Sequence, residues 1–222
     1  MENNLQSENE ETQEEFNTAK PRLTLKDWRT KILYETRDLL AGAAFPFMLM
    51  LILCSTVFSF IGYGGLELGL QIVILIIGEA LLICAIFIFG KQNGTTAYRK
   101  RVQNNNKRKV NSNDVRSRLY IGEYSIVKSI LIALISCIPY IVFLIVEACY
   151  HNQVCEFALM YAFGWAYYPF KLADLPVILN IVFIIPYVAL HTGAYIYGGK
   201  KEKAKQDIIA VAEETRGKTK KK

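Results

Sequence analysis

Apolar positions in this chain fall in long blocks, not in the scattered periodic pattern of a soluble core. About 20 helical residues match the ~30 Å hydrocarbon core of a bilayer. Four stretches reach that length, at about residues 41–63, 66–89, 126–149 and 175–198. The pattern predicts an all-α polytopic membrane protein, its four transmembrane helices forming two antiparallel hairpins with short interfacial helices beside them. Pro46 lies within the first turns of the first block, where a missing N–H costs least. Pro139 and Pro186 fall inside the third and fourth, where membrane helices tolerate proline, usually with a kink. The turn Gly62-Tyr63-Gly64-Gly65 is short enough to set the first two spans side by side.

The polar flanks complete the division. Residues 1–23 are acidic and nearly free of apolar groups, and they read as a disordered tail. Glu8, Glu10, Glu11, Glu14 and Glu15 are the wrong chemistry for a cleaved leader, so the first block is expected to act as an uncleaved anchor. In residues 24–40, Thr24 and Asp27 have the spacing of a helix-capping pair. Trp28, Ile32, Leu39 and Leu40 then recur among Lys26, Arg29, Lys31 and Arg37. This is a juxtamembrane amphipathic helix, or equally an extension of the first span. Residues 91–125 read as a basic loop, with the run NNNKRK at 104–109, and 199–222 as a basic tail drawn to anionic inner-leaflet lipid.

Charge then orients the chain. Of its 26 Lys and Arg residues, six lie in 1–40, nine in 91–125, nine in 199–222, one at Lys128 and one, Lys171, in the 150–174 loop. Cytoplasmic loops hold the excess of Lys and Arg, so both termini are expected in the cytoplasm of a multi-pass plasma-membrane protein. Richness in Lys, Asn and Ile fits a bacterial chain. The net charge of +6 suggests nucleic acid at first. The cations instead cluster beside apolar blocks with no nucleic-acid motif, so no such partner is expected.

The 150–174 loop holds an aromatic run, with Phe157, Tyr161, Trp165 and Tyr168 spaced four, four and three apart. That spacing is one helical face, and such rings favour the headgroup layer. A helix lying on the outer leaflet is expected, with a lid or re-entrant segment as the alternative. Cys149 and Cys155 flank its start, either as a disulfide in an oxidising exterior or as two free thiols. Cys54, Cys84 and Cys137 read as small packing residues.

Polar groups inside the spans are the candidate chemistry, because ionisable residues there are expensive and mark function or a partner. In the second span Glu67 and Gln71 share a face, with Glu79 at its margin, near mid-membrane. In the fourth, Asn180, Tyr187 and His191 share a face. Depth counted from the outer ends sets Gln71 near Asn180 and Glu79 near His191, an expected polar path. In the third span Ser129, Ser136, Tyr140 and Glu147 form one stripe with Ala133 close by, and Ser55 and Ser59 share a side of the first. Residues of these kinds suit interhelical packing.

No catalytic motif accompanies them: GxSxG, HExxH, P-loop and paired-Asp metal patterns are all missing from the sequence. An enzyme, a metal site and a cofactor are not expected. With only His151 and His191, expected on opposite sides of the membrane, a two-His site is disfavoured. Two functions follow. One is an accessory or structural membrane component acting through a membrane-protein partner or a second copy of itself. The other is a small autonomous transporter or channel using Glu79 and His191 to move protons or cations.

Overall fold

The computed structural model describes residues 24–62, 65–110, 119–150 and 153–219. The acidic segment before Thr24, His151 and the three terminal lysines lie outside them. The described residues are helical, without strands. In chain order they form α1 (Leu25–Leu53), a π-helical segment (Cys54–Phe58), α2 (Ser59–Gly62), α3 (Leu68–Val110), α4 (Ile126–Tyr150), α5 (Gln153–Ala162), α6 (Gly164–Leu172), a 3-10 segment (Val177–Phe183) and α7 (Ile184–Thr219). Four helical stretches are long and apolar enough to cross a membrane: Leu25–Ile61, Leu68–Arg108, Ile126–Tyr150 and Ile178–Ala212. The chain divides into two units, Met1–Leu33 and Tyr34–Lys222.

Thr24 and Asp27 cap α1 reciprocally. The Asp27 amide donates to Thr24 Oγ1 at 3.2 Å, while the Thr24 amide and hydroxyl donate to Asp27 Oδ2 at 3.2 and 2.8 Å. The helix then runs without interruption into the first apolar block. Pro46 consequently sits deep inside α1 and not in an opening turn.

Two other helices outrun the expected spans. α3 continues through Val110, deep into the segment expected as a loop, and α7 continues to Thr219. Tertiary contacts hold these polar extensions. Arg99 grips Glu202 with two hydrogen bonds, at 2.9 and 3.2 Å. Asn104 Nδ2 donates to the Ile121 carbonyl at 3.1 Å. Their Lys, Arg and Gln residues are also good helix formers.

α3 and α7 meet along a seam of glycines. A Cβ on Gly94 would stand 2.0 Å from the Tyr195 carbonyl oxygen, one on Gly198 2.1 Å from that of Lys91, and one on Gly90 2.7 Å from that of His191. The backbones therefore touch, as small-xxx-small seams allow in membrane helices. Gly42 and Phe45 of α1 face Asn93 and Phe89 of α3, with Asn93 donating to the Gly42 carbonyl at 3.4 Å.

α5 and α6 replace the single surface helix expected over 156–170. The helix breaks at Phe163, whose φ of −132° and ψ of 29° are not helical. The count of four, four and three therefore crosses a break in phase. Phe157 is exposed and stacks on Tyr161, while Trp165 and Tyr168 are buried. Gly164, Trp165, Ala166, Tyr167 and Tyr168 are all buried, so the first half of α6 is covered on every side. It packs against α3, the π segment and the 3-10 segment at once. The core gathers around it, from Cys54, Phe58, Leu82, Cys137, Tyr140, Leu144, Leu159 and Tyr187.

Candidate functional site

Both irregular segments of the spans flank α6, and both have local causes. In the first span, Thr56 Oγ1 donates to the Ile52 and Leu53 carbonyls at 2.7 and 3.2 Å, Ser55 to Ile52 at 3.2 Å and Ser59 to Thr56 at 3.2 Å. Hydroxyls bonded back onto the preceding turn loosen and bend a helix. The π turn that results presents Cys54 and Phe58, both fully buried, to the core. The Ser55 and Ser59 hydroxyls thus bond within their own helix. In the fourth span, Pro186 has no N–H for the Val182 carbonyl and its ring crowds that turn. The chain ahead of it is wound as a 3-10 helix for seven residues. Runs beyond three or four residues are uncommon, and mid-helix ones mark hinges or strain.

The stripe on α4 meets the polar face of α7. Ser129 Oγ and His191 Nδ1 are 3.2 Å apart. Ser136 and Tyr187 share a 2.8 Å hydrogen bond between hydroxyls, and Ser136 also donates to the Ala133 carbonyl at 2.7 Å. These two rungs step in opposite directions along the two helices. The same progression brings Tyr140 to the level of the 3-10 segment, which packs on α4.

Past these rungs the stripe has no further partner on α7. Buried and without a hydrogen-bond partner among the described residues are Tyr140 Oη, Trp165 Nε1, Tyr168 Oη, Glu79 Oε1, Glu147 Oε2 and both amide atoms of Asn180. The Tyr140 and Trp165 rings lie 5.7 Å apart, and Trp165 and Tyr187 5.9 Å. Phe58 links the neighbour of Glu79 to α6: a Cβ on Gly78 would stand 2.6 Å from its ring, and one on Gly164 2.6 Å from its Cβ.

The expected Glu79–His191 pair is not formed, because the register forbids it. His191 backs onto Gly90, and Glu79 lies eleven residues from Gly90, about 16 Å along the helix. His191 bonds Ser129 instead, and its Nε2 and Thr192 Oγ1 are buried without partners. Eleven residues back from His191 stands Asn180, and because four of those steps are 3-10, with the greater rise, it lies near the level of Glu79 and about 2 Å beyond it. Gln71 does not meet Asn180 either: its Nε2 donates to the Leu66 carbonyl at 2.9 Å. Glu67 is exposed at the start of α3, its carbonyl accepting from the Leu70 and Gln71 amides.

Cys149 and Cys155 are free thiols, the first exposed and the second buried. The disulfide that one reading of the sequence allowed is not formed. Cys54 and Cys137 are buried, whereas Cys84 is exposed. No group of three or more metal-ligating side chains occurs among the described residues.

Outside the core, Glu156 accepts from Tyr167 Oη at 2.7 Å and lies 3.4 Å from Lys171 Nζ. The Tyr167 hydrogen bond, with Lys171 beside it, holds the Glu156 carboxyl below its ordinary pKa. This contact clasps α5 to α6.

Trp165 was seen in the sequence, but as a surface anchor. The signal that could have relocated it is Gly164, where a Cβ would stand 2.6 Å from Phe58 Cβ. The fold and this core define the class: a helical protein compatible with membrane embedding, with four candidate spans and a broken helical segment buried among them. Comparison with protein-family models, curated proteins and solved structures gives no match.

Proposed function

We propose that the chain is a small membrane transporter or channel that binds a proton or small cation in its core, at Glu79, Asn180, Tyr140 and Trp165. The observation that carries this reading is the group of unpartnered buried polar atoms around α6. Buried polar groups are nearly always hydrogen-bonded, and each orphan costs about 1–3 kcal/mol. A concentration of them is explained by a hydrated guest: the Glu79, Asn180 and Tyr140 oxygens face the positive charge, and its water accepts from Trp165 Nε1 and Asn180 Nδ2, which are donors and cannot bind a cation themselves. Irregular backbone inside a membrane protein is likewise tolerated where it is buried in protein or lines a wet cavity. A carboxylate beside aromatic faces suits positive charge. The reading keeps the topology of two antiparallel hairpins with both termini in the cytoplasm, and it replaces His191 by Asn180 as the residue level with Glu79.

The test is flux into liposomes holding the purified full chain and a trapped ion-sensitive dye, under an inward proton or sodium gradient. The wild type should dissipate one of the two gradients, and Glu79→Gln should return the rate to that of protein-free liposomes. A wild type no faster than empty liposomes for both ions would sink the proposal.

A second reading, an accessory component acting through a membrane-protein partner, has one observation of its own. The apolar window of α3 is 17% buried within the chain, against 39% for α4. A stoichiometric partner retained in mild detergent, with no flux, would favour it.

A further inference from the structure

A cavity of about 240 Å³ opens at the charged end of the molecule, between the start of the apolar part of α1, the polar extension of α3 and the turn before α4. Arg37, Lys100 and Lys107 line it, with Asp38 as the acidic group on its wall and Gln103 and Asn104 as neutral polar ones. Lys100 is committed to Asp38 at 2.9 Å. Arg37 makes no hydrogen bond or ion pair among the described residues and is exposed. The lining therefore carries an excess of positive charge, with a planar guanidinium at its edge.

The wall is built, not loose. Tyr120 and Gly122 both take positive φ, 56° and 74°. The Gly122 amide donates to Glu35 Oε1 at 2.8 Å, and a Cβ there would stand 2.6 Å from Asp38 Oδ2. Asn104 holds the same turn through the Ile121 carbonyl and Glu123 Oε1. Arg108 also pairs with Glu123. Glu35, Asp38, Glu123 and Asn104 are thereby spent on the turn, while Arg37 keeps its donors. It stands one turn before the apolar block that the sequence opens at Ala41, a position that suits a headgroup phosphate.

The geometry points to a phosphate-binding site here, for a phosphate carried by an anionic lipid headgroup or by a soluble molecule. Guanidinium and ammonium groups around a polar cavity are the chemistry that recognises phosphate oxygens. The inference is independent of the core site and of flux.

The full chain in nanodiscs of neutral phosphatidylcholine tests it in two arms, with dihexanoyl phosphatidylglycerol as the lipid probe and inorganic pyrophosphate as the soluble one. Saturable binding should appear in one arm. Arg37→Gln and Lys107→Gln should each weaken it roughly fivefold, the worth of about one cation near a membrane surface. Lys203→Gln, on the exposed face of α7, should leave it unchanged. Arg37 has no partner to lose, so its variant should keep the wild-type melting temperature. Binding of phosphatidylglycerol identifies a lipid source, and binding of pyrophosphate a soluble one. No binding in either arm overturns the inference, as does binding that all three variants weaken equally or that neither cavity variant weakens.

Discussion

The two ends of this molecule treat buried and half-buried polar groups in opposite ways. At the charged end each acidic group in the interhelical contacts has a cation: Glu202 has Arg99, Asp38 has Lys100 and Lys128, Glu35 has Lys128 and Glu123 has Arg108. Around α6 the polar atoms are more deeply buried, yet Glu79, Tyr140, Trp165, Tyr168, Asn180 and Glu147 have atoms with no protein partner. The first arrangement makes sense as structure, because its groups satisfy one another. The second costs stability without returning any within the chain itself, and that is the observation on which the proposed core site rests. The change between the two regimes runs along one helix face on α4, where Ser129 and Ser136 have partners on α7 and Tyr140 has none, with His191 Nε2 and Thr192 Oγ1 as the exceptions on the partnered side.

The largest effect should come from the seam that holds the partnered end together. Gly94→Ala drives a methyl group to 2.0 Å from the Tyr195 carbonyl, a contact that only a backbone shift can relieve. We expect a loss on the order of 3 kcal/mol or more, read as a fall in thermal stability in detergent. Gly69→Ala is the control, since nothing lies within 4 Å of its added carbon. Equal tolerance of the two substitutions would mean that α3 and α7 do not meet backbone to backbone.

Why the sequence revealed one end and hid the other has a physical answer. α4 begins and ends where its hydropathy does, and its inward residues share one face, so periodicity suffices to find it. Gly90, Gly94 and Gly198 stand beside Lys91 and Lys200, where a hydropathy reading ends the spans. Their meaning emerges only when two backbones are seen in contact. α6 is hidden for a different reason. Its aromatic run carries the composition of an interfacial helix, and a periodic count cannot detect the change of phase at Phe163. Depth counting paired Glu79 with His191 because it assumed that the two spans begin at one height. The 3-10 opening adds only about 0.5 Å per residue, a few ångströms of the ~16 Å error, and the rest is the offset of the two helices that the glycine seam sets.

Two tyrosines whose rings both pack on Trp165 give the comparison its sharpest form. Tyr187→Phe removes a hydroxyl that bonds Ser136, and should cost about 0.5–1.5 kcal/mol. Tyr140→Phe removes a buried hydroxyl with no protein partner, and should be neutral or stabilising by up to ~1–3 kcal/mol, while impairing flux. Opposite signs in a denaturation series would establish that the regimes differ; equal losses would show that Tyr140 is bonded much as Tyr187 is. A smaller effect is expected at the polar ends of α3 and α7. A double-mutant cycle with Arg99→Gln and Glu202→Gln should give a coupling near ~1 kcal/mol, since Arg99 is exposed though its partner is buried. Coupling indistinguishable from zero would assign the persistence of these helices to the glycine seam alone.

The smallest effect concerns the clasp between α5 and α6. The folded-state pKa of Glu156 is depressed by its hydrogen bond from Tyr167 and by Lys171. A depressed carboxyl contributes stability that is fully present above its unfolded value, near ~4.3, and lost as pH falls through the folded value. The clasp should therefore hold at neutral pH and release only in acid. Glu156 is solvent-accessible, so screening limits the contribution to a few tenths of a kcal/mol. Amide hydrogen exchange over residues 153–172 is the suitable measurement, because it reports local opening that a global melt would miss. Protection factors, which correct for the intrinsic rate that itself slows toward acid, should fall in the wild type below about pH 4 more than in Glu156→Gln, which lacks the titrating group and should already be less protected at neutral pH. Identical pH profiles in the two proteins would mean that α6 is held by its buried face alone, and that the unpartnered core does not depend on the clasp for its enclosure.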